Sequence, residues 1–505
     1  MSASNDPTRR TFLQVTAATL ASARVACGAE PPAAPSGRKR TIGIQVGAVS
    51  FVDEGVERVL DTVQERGAVD TIFLAVFTYG RGIAGRQIPG QPLPDHGKQE
   101  YDTRQFHGGN YATPHARFYK DTPIRPEGTK APEFGDLDII AEVLPAAKKR
   151  GMRVICWLED VWRTDVPGVE RLRERSLEGK PAGTLCFNNP GHRAFLEGLV
   201  EDYASSYDVD GIMWGCERQG AFANALGSSH GGGGRNPDQV TCFCEHCRAN
   251  AAKVGINFDR VKEGFGELSK FVKAARKSQR PIDGYHVTLW RLILRYPELL
   301  AWENFWHEGL RETYRAIYGR VKSVKRDLPV GWHIWHNNSF SPIYRAEQDL
   351  TVLGEYSDFL KMVMYHNCGG PRIAGYIDAV GQTIYGDVPR DRLLRFHYDV
   401  LNYGDGEPAY DAVRTAGLKG DYVLRETRRA VGAVKGGKTR ILPGIDIDIP
   451  TAAGESKSTP GDVKAAVRQA FEGGADGVIL SRKYSEMRLA NLAAAGEGVR
   501  EFGRA

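Results

Sequence analysis

Two absences narrow the range of functions for this chain of 505 residues. The sequence has no apolar run near the ~20 residues that a membrane-spanning helix needs, which argues against an integral membrane protein. It also lacks a basic stripe. Residues 1–40 hold six basic and two acidic side chains, which leaves residues 41–505 with only +1 of the total net charge of +5. A nearly neutral body without clustered Lys and Arg does not favour a nucleic acid as partner.

Signatures of nucleotide binding are missing as well. The run Gly231–Gly234 has no strand-to-helix context and no Lys-Ser/Thr pair after it. This pattern predicts a flexible loop rather than a cradle for phosphate groups. We therefore expect no organic cofactor.

The first forty residues have the pattern of a targeting segment followed by a linker. Thr8–Leu13 (TRRTFL) resembles the twin-arginine export motif, and a short stretch rich in Ala and Thr follows it. A disordered arm with a chance pair of arginines is the alternative. Cys27 is a candidate for lipid attachment, although Arg24 fits that pattern badly and cleavage near Ala23 or Ala26 is the other option. The sequence thus predicts export by the twin-arginine route, to the periplasm or the cell surface.

From Thr41 onward, short apolar runs alternate with segments of helical periodicity. The eight runs are 42–49, 71–77, 153–158, 211–215, 330–335, 359–365, 441–447 and 477–480. Repeated strand-helix alternation of this kind predicts an α/β fold, a (β/α)₈ TIM barrel over residues 41–505, with a doubly wound open sheet as the alternative. Long connections follow the second, fourth and sixth runs, at 80–134, 218–300 and 367–438. We interpret them as βα-loop insertions on the catalytic face.

Glu217 closely follows the fourth apolar run. Because barrel enzymes carry their active sites at the carboxyl ends of the strands, we interpret Glu217 as a candidate catalytic acid. Glycoside hydrolysis needs a second carboxylate as nucleophile or base. Asp446 or Asp448 at the seventh strand end could supply it, and the sequence does not choose between them, since both lie on one face of a regular strand. Glu159 and Asp160, after the third run, are the carboxylates held in reserve. The alternative is that Glu217 pairs with Arg218 or with a basic residue of the eighth strand end.

Aromatic, amide and charged side chains at the other strand ends are typical of a sugar site. Indole rings stack on the apolar faces of pyranoses, and polar groups bind the hydroxyls. The candidate substrate-binding residues are Trp157, Glu159, Trp335, His336, Asn337, Tyr365, Arg482 and Lys483. The predicted partner is an oligosaccharide or a simpler glycoside.

Three of the eight cysteines form a C-x-C-x-x-C cluster in the predicted insertion at 218–300: Cys242, Cys244 and Cys247. This spacing brings three thiolates within reach of one zinc ion, and His246 or a distant cysteine could complete the shell. The distant cysteines considered as fourth ligand are Cys156, Cys186 and Cys216. A disulfide is the alternative, but cysteines two or three residues apart bond one another poorly. A structural zinc site is therefore the favoured interpretation.

These features resemble the clan A glycoside hydrolases, in particular the family 42 β-galactosidases and related bacterial barrel hydrolases. The resemblance rests on the Asp210–Trp214 strand that leads to Glu217, on the Cys242–Cys247 cluster, and on the Leu185–Arg193 stretch ahead of that strand. It implies an acid/base role for Glu217 and zinc ligation by the cysteines. The chain departs from the clan at Cys216, where the clan has Asn, and at the seventh strand, where the clan has a Glu nucleophile instead of Asp.

The sequence therefore predicts an exported glycoside hydrolase that cleaves glycosidic bonds with two carboxylates. Two other functions fit the same residues. One is a glycan-binding barrel without catalysis. The other is a metal-dependent hydrolase or lyase that uses His333, His336 and His366 with a carboxylate.

Overall fold

The computed structural model describes residues 39–80, 84–103, 108–230, 236–404 and 406–503. The predicted twin-arginine segment, Cys27 and the loop Gly231–Gly234 lie outside these residues and stay predictions. Within the described part of the chain, no helix is both long and apolar enough to cross a bilayer.

The strands of the described residues are eleven. They are β1 (Thr41–Gly47), β2 (Thr71–Tyr79), β3 (Gly108–Asn110), β4 (Arg153–Glu159), β5 (Arg173–Arg175), β6 (Pro181–Leu185), β7 (Gly211–Gly215), β8 (Val330–Ile334), β9 (Phe359–Met364), β10 (Arg440–Asp446) and β11 (Gly477–Ser481).

Eight of these strands close into a parallel barrel in the order β1-β2-β4-β7-β8-β9-β10-β11. Closure is made by β1, which pairs with β11 through Thr41 and Gly477 and with β2 through Gly43 and Thr71. The fold is thus the predicted (β/α)₈ barrel, and the open-sheet alternative is wrong because such a sheet would leave two free edges. All eight barrel strands coincide with the eight apolar runs.

The strands are continuous apolar runs because both of their faces are buried. Inside the barrel, Phe73, Trp157, Met213, Phe359 and Leu442 belong to one buried cluster, while the outward side chains pack against the surrounding helices. This cluster fills the barrel below its mouth. The polar residues of the strand ends lie directly above this apolar layer, which we call the barrel floor.

The described residues also form seventeen α-helices, numbered here in chain order. They are α1 (Ala48–Glu54), α2 (Val56–Gly67), α3 (Ile139–Lys149), α4 (Pro190–Ser206), α5 (Ala221–Leu226), α6 (Glu245–Lys253), α7 (Phe258–Arg276), α8 (Tyr285–Arg295), α9 (Glu298–Val324), α10 (Pro342–Glu347), α11 (Leu350–Gly354), α12 (His366–Gly381), α13 (Arg390–Val400), α14 (Tyr410–Ala416), α15 (Tyr422–Ala433), α16 (Pro460–Glu472) and α17 (Leu489–Phe502). Local signals fix several starts. For example, Thr459 and Asp462 form a reciprocal capping box at α16.

Long segments stand at the carboxyl ends of several barrel strands. Residues 80–138 follow β2, residues 216–297 with α5 to α8 follow β7, and α12 to α14 follow β9. A further segment after β4 carries the antiparallel hairpin of β5 and β6. Among the described residues of these segments that line the barrel mouth are Gly80, Thr184, Glu217, Arg218 and Arg372.

Candidate active site

A cleft of about 670 Å³ opens at the carboxyl ends of the barrel strands. Polar and aromatic side chains from at least six strand ends line it: Gln45, Tyr79, Trp157, Glu159, Asp160, Trp162, Arg163, Thr184, Glu217, Arg218, His333, Tyr365, Arg372 and Arg482. Its size and its mix of indole, carboxylate and guanidinium groups suit a small polar organic ligand.

Glu217 ends a buried chain of hydrogen bonds that begins at the barrel floor. Lys361 Nζ donates to Gln45 Oε1 (2.5 Å) and to the Tyr365 hydroxyl (2.9 Å), and it lies 3.2 Å from His333 Nδ1. Because an ammonium group can only donate, His333 Nδ1 accepts, and the ring proton sits on Nε2. His333 Nε2 then donates to Glu217 Oε1 (2.9 Å). The chain holds Glu217 at the cleft with one carboxylate oxygen engaged.

The surroundings of Glu217 favour its ionised form. Burial raises the pKa of Glu217, but the hydrogen bond from His333 and electrostatic interactions with His333, His230 and Arg372 outweigh it and lower the pKa to about 2. The side chain is still 55% exposed to the cleft. Glu217 is therefore an accessible carboxylate at neutral pH.

The surroundings of Glu159, at the end of β4, favour its protonated form. Burial and the charge of Glu217 raise the pKa of Glu159 to about 7, while Thr78, Lys361 and Arg482 oppose the shift. The Thr78 hydroxyl donates to Glu159 Oε2. Glu159 faces Gly215 across the β4–β7 pairing, two residues before Glu217. One cleft thus holds two carboxyl groups from neighbouring strands, one of which keeps its proton near neutral pH and one of which does not.

The alternative that Glu217 pairs with Arg218 is wrong. Arg218 Nη1 donates to Asp160 Oδ2 (2.8 Å), and Nη2 lies 2.9 Å from Glu174 Oε1. Its guanidinium also stacks over the Phe187 ring at 4.4 Å. Two buried carboxylates therefore hold Arg218 in the cleft wall. The hydrogen-bond partner of Glu217 is His333 instead.

The sequence predicted Asp446 or Asp448 as the second catalytic carboxylate, but neither lines the cleft that contains Glu217. Asp446 is fully buried, and its two oxygens accept from the backbone N–H groups of Cys368 (3.0 Å) and Ile449 (2.9 Å). Asp448 pairs with Arg488 at 2.7 Å. Both carboxylates are turned instead toward backbone amides and helix α17.

The residues predicted to bind substrate divide into two groups. Trp157, Glu159, Tyr365 and Arg482 line the cleft. The other four, Trp335, His336, Asn337 and Lys483, do not line the cleft, because their side chains contact other protein groups outside it. Asn337 donates to Gln219 Oε1 and to the Ser228 carbonyl, His336 lies between Tyr422 and Arg372, Lys483 donates to the Gly85 carbonyl, and Trp335 packs on Tyr344.

Five of the residues that line the cleft have a buried side-chain atom without a hydrogen-bond partner. They are Gln45 Nε2, the Tyr79 hydroxyl, Trp157 Nε1, Arg163 Nη1 and Arg218 Nη2, the last of which is ion-paired with Glu174. Buried polar atoms in proteins are normally satisfied, so these atoms are unusual features of the cleft wall.

The sequence interpretation missed Gln45, Thr78 and Arg372. Gln45 interrupts the apolar run of β1, and a polar residue within a run buried on both faces was the available signal. Thr78 gives no such signal, because Thr is common in strands. Arg372 lies on α12, a full turn beyond the strand end, and reaches the cleft only through the path of that helix.

The cysteine cluster lies beside this cleft and includes a fourth member. Cys186, Cys242, Cys244 and Cys247 are buried, and their sulfur atoms lie within 4.8 Å of one another. Cys186 Sγ is 3.5 Å from Cys247 Sγ and 3.6 Å from Cys244 Sγ. Zn–S bonds of about 2.3 Å in a tetrahedron place the sulfurs about 3.8 Å apart, so four thiolates in this arrangement fit a zinc ion. His246, Cys156 and Cys216 do not belong to the cluster.

The histidines of the metal-dependent alternative do not come together. Within the described ranges, two groups of three or more side chains lie at metal-binding distance, and neither contains His333, His336 or His366. His333 is bonded to Glu217, and burial lowers the pKa values of all three imidazoles.

Comparisons with known proteins address the fold. No protein-family model and no curated protein matches the sequence. The structure is similar to the β-galactosidase of the Antarctic haloarchaeon Halorubrum lacusprofundi, with a TM-score of 0.52 and 15% identity over 92% of this chain. The β-galactosidase of Bacillus circulans sp. alkalophilus (TM-score 0.47, 12% identity, 93% of this chain and 57% of that chain) and the PgaB (BpsB) glycoside hydrolase domain of Bordetella bronchiseptica (0.46, 11%, 92% and 99%) also match.

The chain spans 58% of the length of the haloarchaeal enzyme. At this identity the similarity concerns architecture alone. It confirms that the resemblance seen in the sequence, to barrels of the β-galactosidase type, holds at the level of the (β/α)₈ fold.

Proposed function

We propose that the protein is an exported glycoside hydrolase whose catalytic pair is Glu159 and Glu217. The observation that carries this proposal is the pair of glutamates in one cleft, with a pKa raised to about 7 for Glu159 and lowered to about 2 for Glu217. Glycoside hydrolysis needs one carboxylic acid and one carboxylate beside the same bond. The fold similarity to glycoside hydrolases supports the same class of reaction.

In this mechanism Glu159 protonates the leaving oxygen, and Glu217 acts as nucleophile or activates water. Glu217 thus takes the carboxylate role rather than the acid/base role that the family resemblance implies, because His333 donates to it and stabilises its charge. We expect the indole of Trp162 to contact the sugar, since Trp162 lines the cleft and its Nε1–H donates to Asp160 Oδ1.

The test compares Glu159→Gln and Glu217→Gln on aryl glycosides with good and poor leaving groups. A good leaving group needs little protonation. Glu159→Gln should therefore lose about 10²- to 10⁴-fold in kcat/KM on the poor leaving group and far less on the good one. Glu217→Gln should lose activity on both. Glu178→Gln, an exposed residue of the β5–β6 turn, is the matched control.

Two results would contradict the assignment. One is a Glu217→Gln protein that keeps wild-type turnover. The other is loss of turnover in Asp448→Asn with Glu159→Gln unaffected, which would return the second carboxylate to β10. Tight glycan binding without turnover by the wild type would favour the binding-module alternative.

We also propose that the four cysteines hold a structural zinc ion. The cluster joins Cys186, directly after β6, to the start of α6. Thr184 in the same β6 strand lines the cleft, and Thr184 and Thr241 both donate to Glu174. Zinc at this point would fix the cleft wall, and a closed shell of four thiolates leaves no position for substrate.

A further inference from the structure

A second buried cluster of ligand-type side chains lies away from the cleft and from the cysteines. Glu303 and His307 project from one face of α9, one turn apart, and Glu347 approaches them from the end of α10. One ligand atom from each lies within 4.8 Å of the other two. His307 Nε2 is 2.7 Å from Glu347 Oε2 and 3.9 Å from Glu303 Oε1.

The hydrogen bonding of this cluster is incomplete. The His307 side chain is 1% exposed, yet neither of its ring nitrogens makes a hydrogen bond, and Glu347 Oε2 makes none either. The close approach of His307 Nε2 to Glu347 therefore lacks the alignment of a hydrogen bond. A buried imidazole without a hydrogen-bond partner, beside two carboxyl groups, is a combination that a bound cation would satisfy.

The two glutamates of the cluster can supply the negative charge that a bound cation needs. Glu303 accepts from the backbone N–H groups of Phe222 (2.8 Å) and Ala223 (3.3 Å). Arg311, the nearest basic side chain on α9, is directed to Glu308 (2.7 Å) and Asn304 (3.1 Å). With a divalent ion bound and both glutamates ionised, the two carboxylates would balance the charge of the ion.

We infer that Glu303, His307 and Glu347 form a binding site for a divalent first-row transition ion, distinct from the cysteine cluster. One imidazole nitrogen and two carboxylate oxygens suit zinc, iron or manganese rather than the all-oxygen preference of calcium and magnesium. The inference is independent of the proposed glycosidase activity.

The site would act on the cleft by holding Glu303 in place. Glu303 fixes the first turn of α5, which begins after Gly220, three residues beyond Glu217. A Cβ atom at Gly220 would lie 2.3 Å from Glu303 Oε2, so the glycine permits the close approach of the carboxylate to this loop. The ion would thus tie α9 and α10 to the loop that carries Glu217.

Cobalt titration of the metal-stripped full-length protein separates the two sites. Cobalt on thiolates gives sulfur-to-metal charge-transfer absorption, whereas cobalt on nitrogen and oxygen does not. We expect one equivalent of bound cobalt beyond the amount that saturates the charge-transfer band. That equivalent should disappear in Glu347→Gln and His307→Asn and remain in Glu308→Gln, a matched exposed neighbour on α9.

The wild-type protein alone can overturn the inference. If it binds no cobalt beyond the charge-transfer equivalent, the site does not exist, whatever the variants show. Retention of the extra equivalent in both Glu347→Gln and His307→Asn would place the second ion elsewhere and equally refute the assignment.

Discussion

Replacing Thr78 with valine should move the alkaline limb of the pH profile upward by about one unit. The Thr78 hydroxyl donates to Glu159 Oε2 and stabilises the ionised carboxylate. A hydrogen bond to a charged group contributes about 1.5 kcal/mol, and one pKa unit corresponds to about 1.4 kcal/mol. Without this bond the pKa of Glu159 rises further above about 7, and the protonated acid persists to higher pH.

The assay is kcat/KM against pH on a substrate with a poor leaving group, for which the acid is required. The active form needs Glu159 protonated and Glu217 ionised, so the rate stays level above the pKa of Glu217 and falls above that of Glu159. Thr383→Val, a buried threonine that donates to the Leu226 carbonyl, is the matched control and should leave the limb in place. A limb that stays fixed or moves down in Thr78→Val would refute the assignment of Glu159 as acid.

Three further predictions follow from single contacts or motifs. Arg218→Met should lower the free energy of unfolding by about 3–5 kcal/mol in urea titrations, because it leaves two buried carboxylates without their cation. Cys186→Ser should lower zinc content by one ion per chain in elemental analysis, whereas a disulfide between neighbouring cysteines would leave the metal content unchanged. Replacing Arg9 and Arg10 together with lysine should keep the protein in the cytoplasm in fractionation experiments, if the twin-arginine prediction is correct.

The barrel could be predicted from sequence because its strands are buried on both faces. A strand with two buried faces is a short, uninterrupted apolar run, and such runs stand out between amphipathic helices. Glu217 could be located for the same reason, since the apolar run of β7 stops just before it. The polar interruptions within these runs are a further signal, which the sequence interpretation did not use. Gln45 in β1 and Lys361 in β9 are polar residues inside apolar strands, and both belong to the polar layer of the barrel mouth.

The partner of Glu217 could not be predicted in the same way. Asp446 and Glu159 are both the last paired residues of their strands, on the same inward face as Leu442 and Trp157, so strand alternation does not distinguish them. The difference comes from distant chain segments. The backbone amides of Cys368 and Ile449 bind the Asp446 carboxylate, whereas Glu159 lines the cleft. The sequence offered Cys186 as one of three candidates for the fourth ligand but could not choose it, because Cys186 is 56 residues away from Cys242 and becomes its neighbour only in the folded barrel.

Lys361, which is linked to Glu217 through His333, also interacts electrostatically with Glu159. The proton losses of Lys361 and Glu159 therefore depend on each other. Burial lowers the pKa of Lys361 to about 7, close to the value for Glu159, and each of the two charges stabilises the other. Two interacting groups with similar pKa values lose their protons in steps that belong to the pair. If Lys361 loses its proton first, the pKa of Glu159 rises further, because a cation that favoured its ionised form is gone. The alkaline limb therefore reports the pair, and the upward shift expected for Thr78→Val keeps its sign in either order of proton loss.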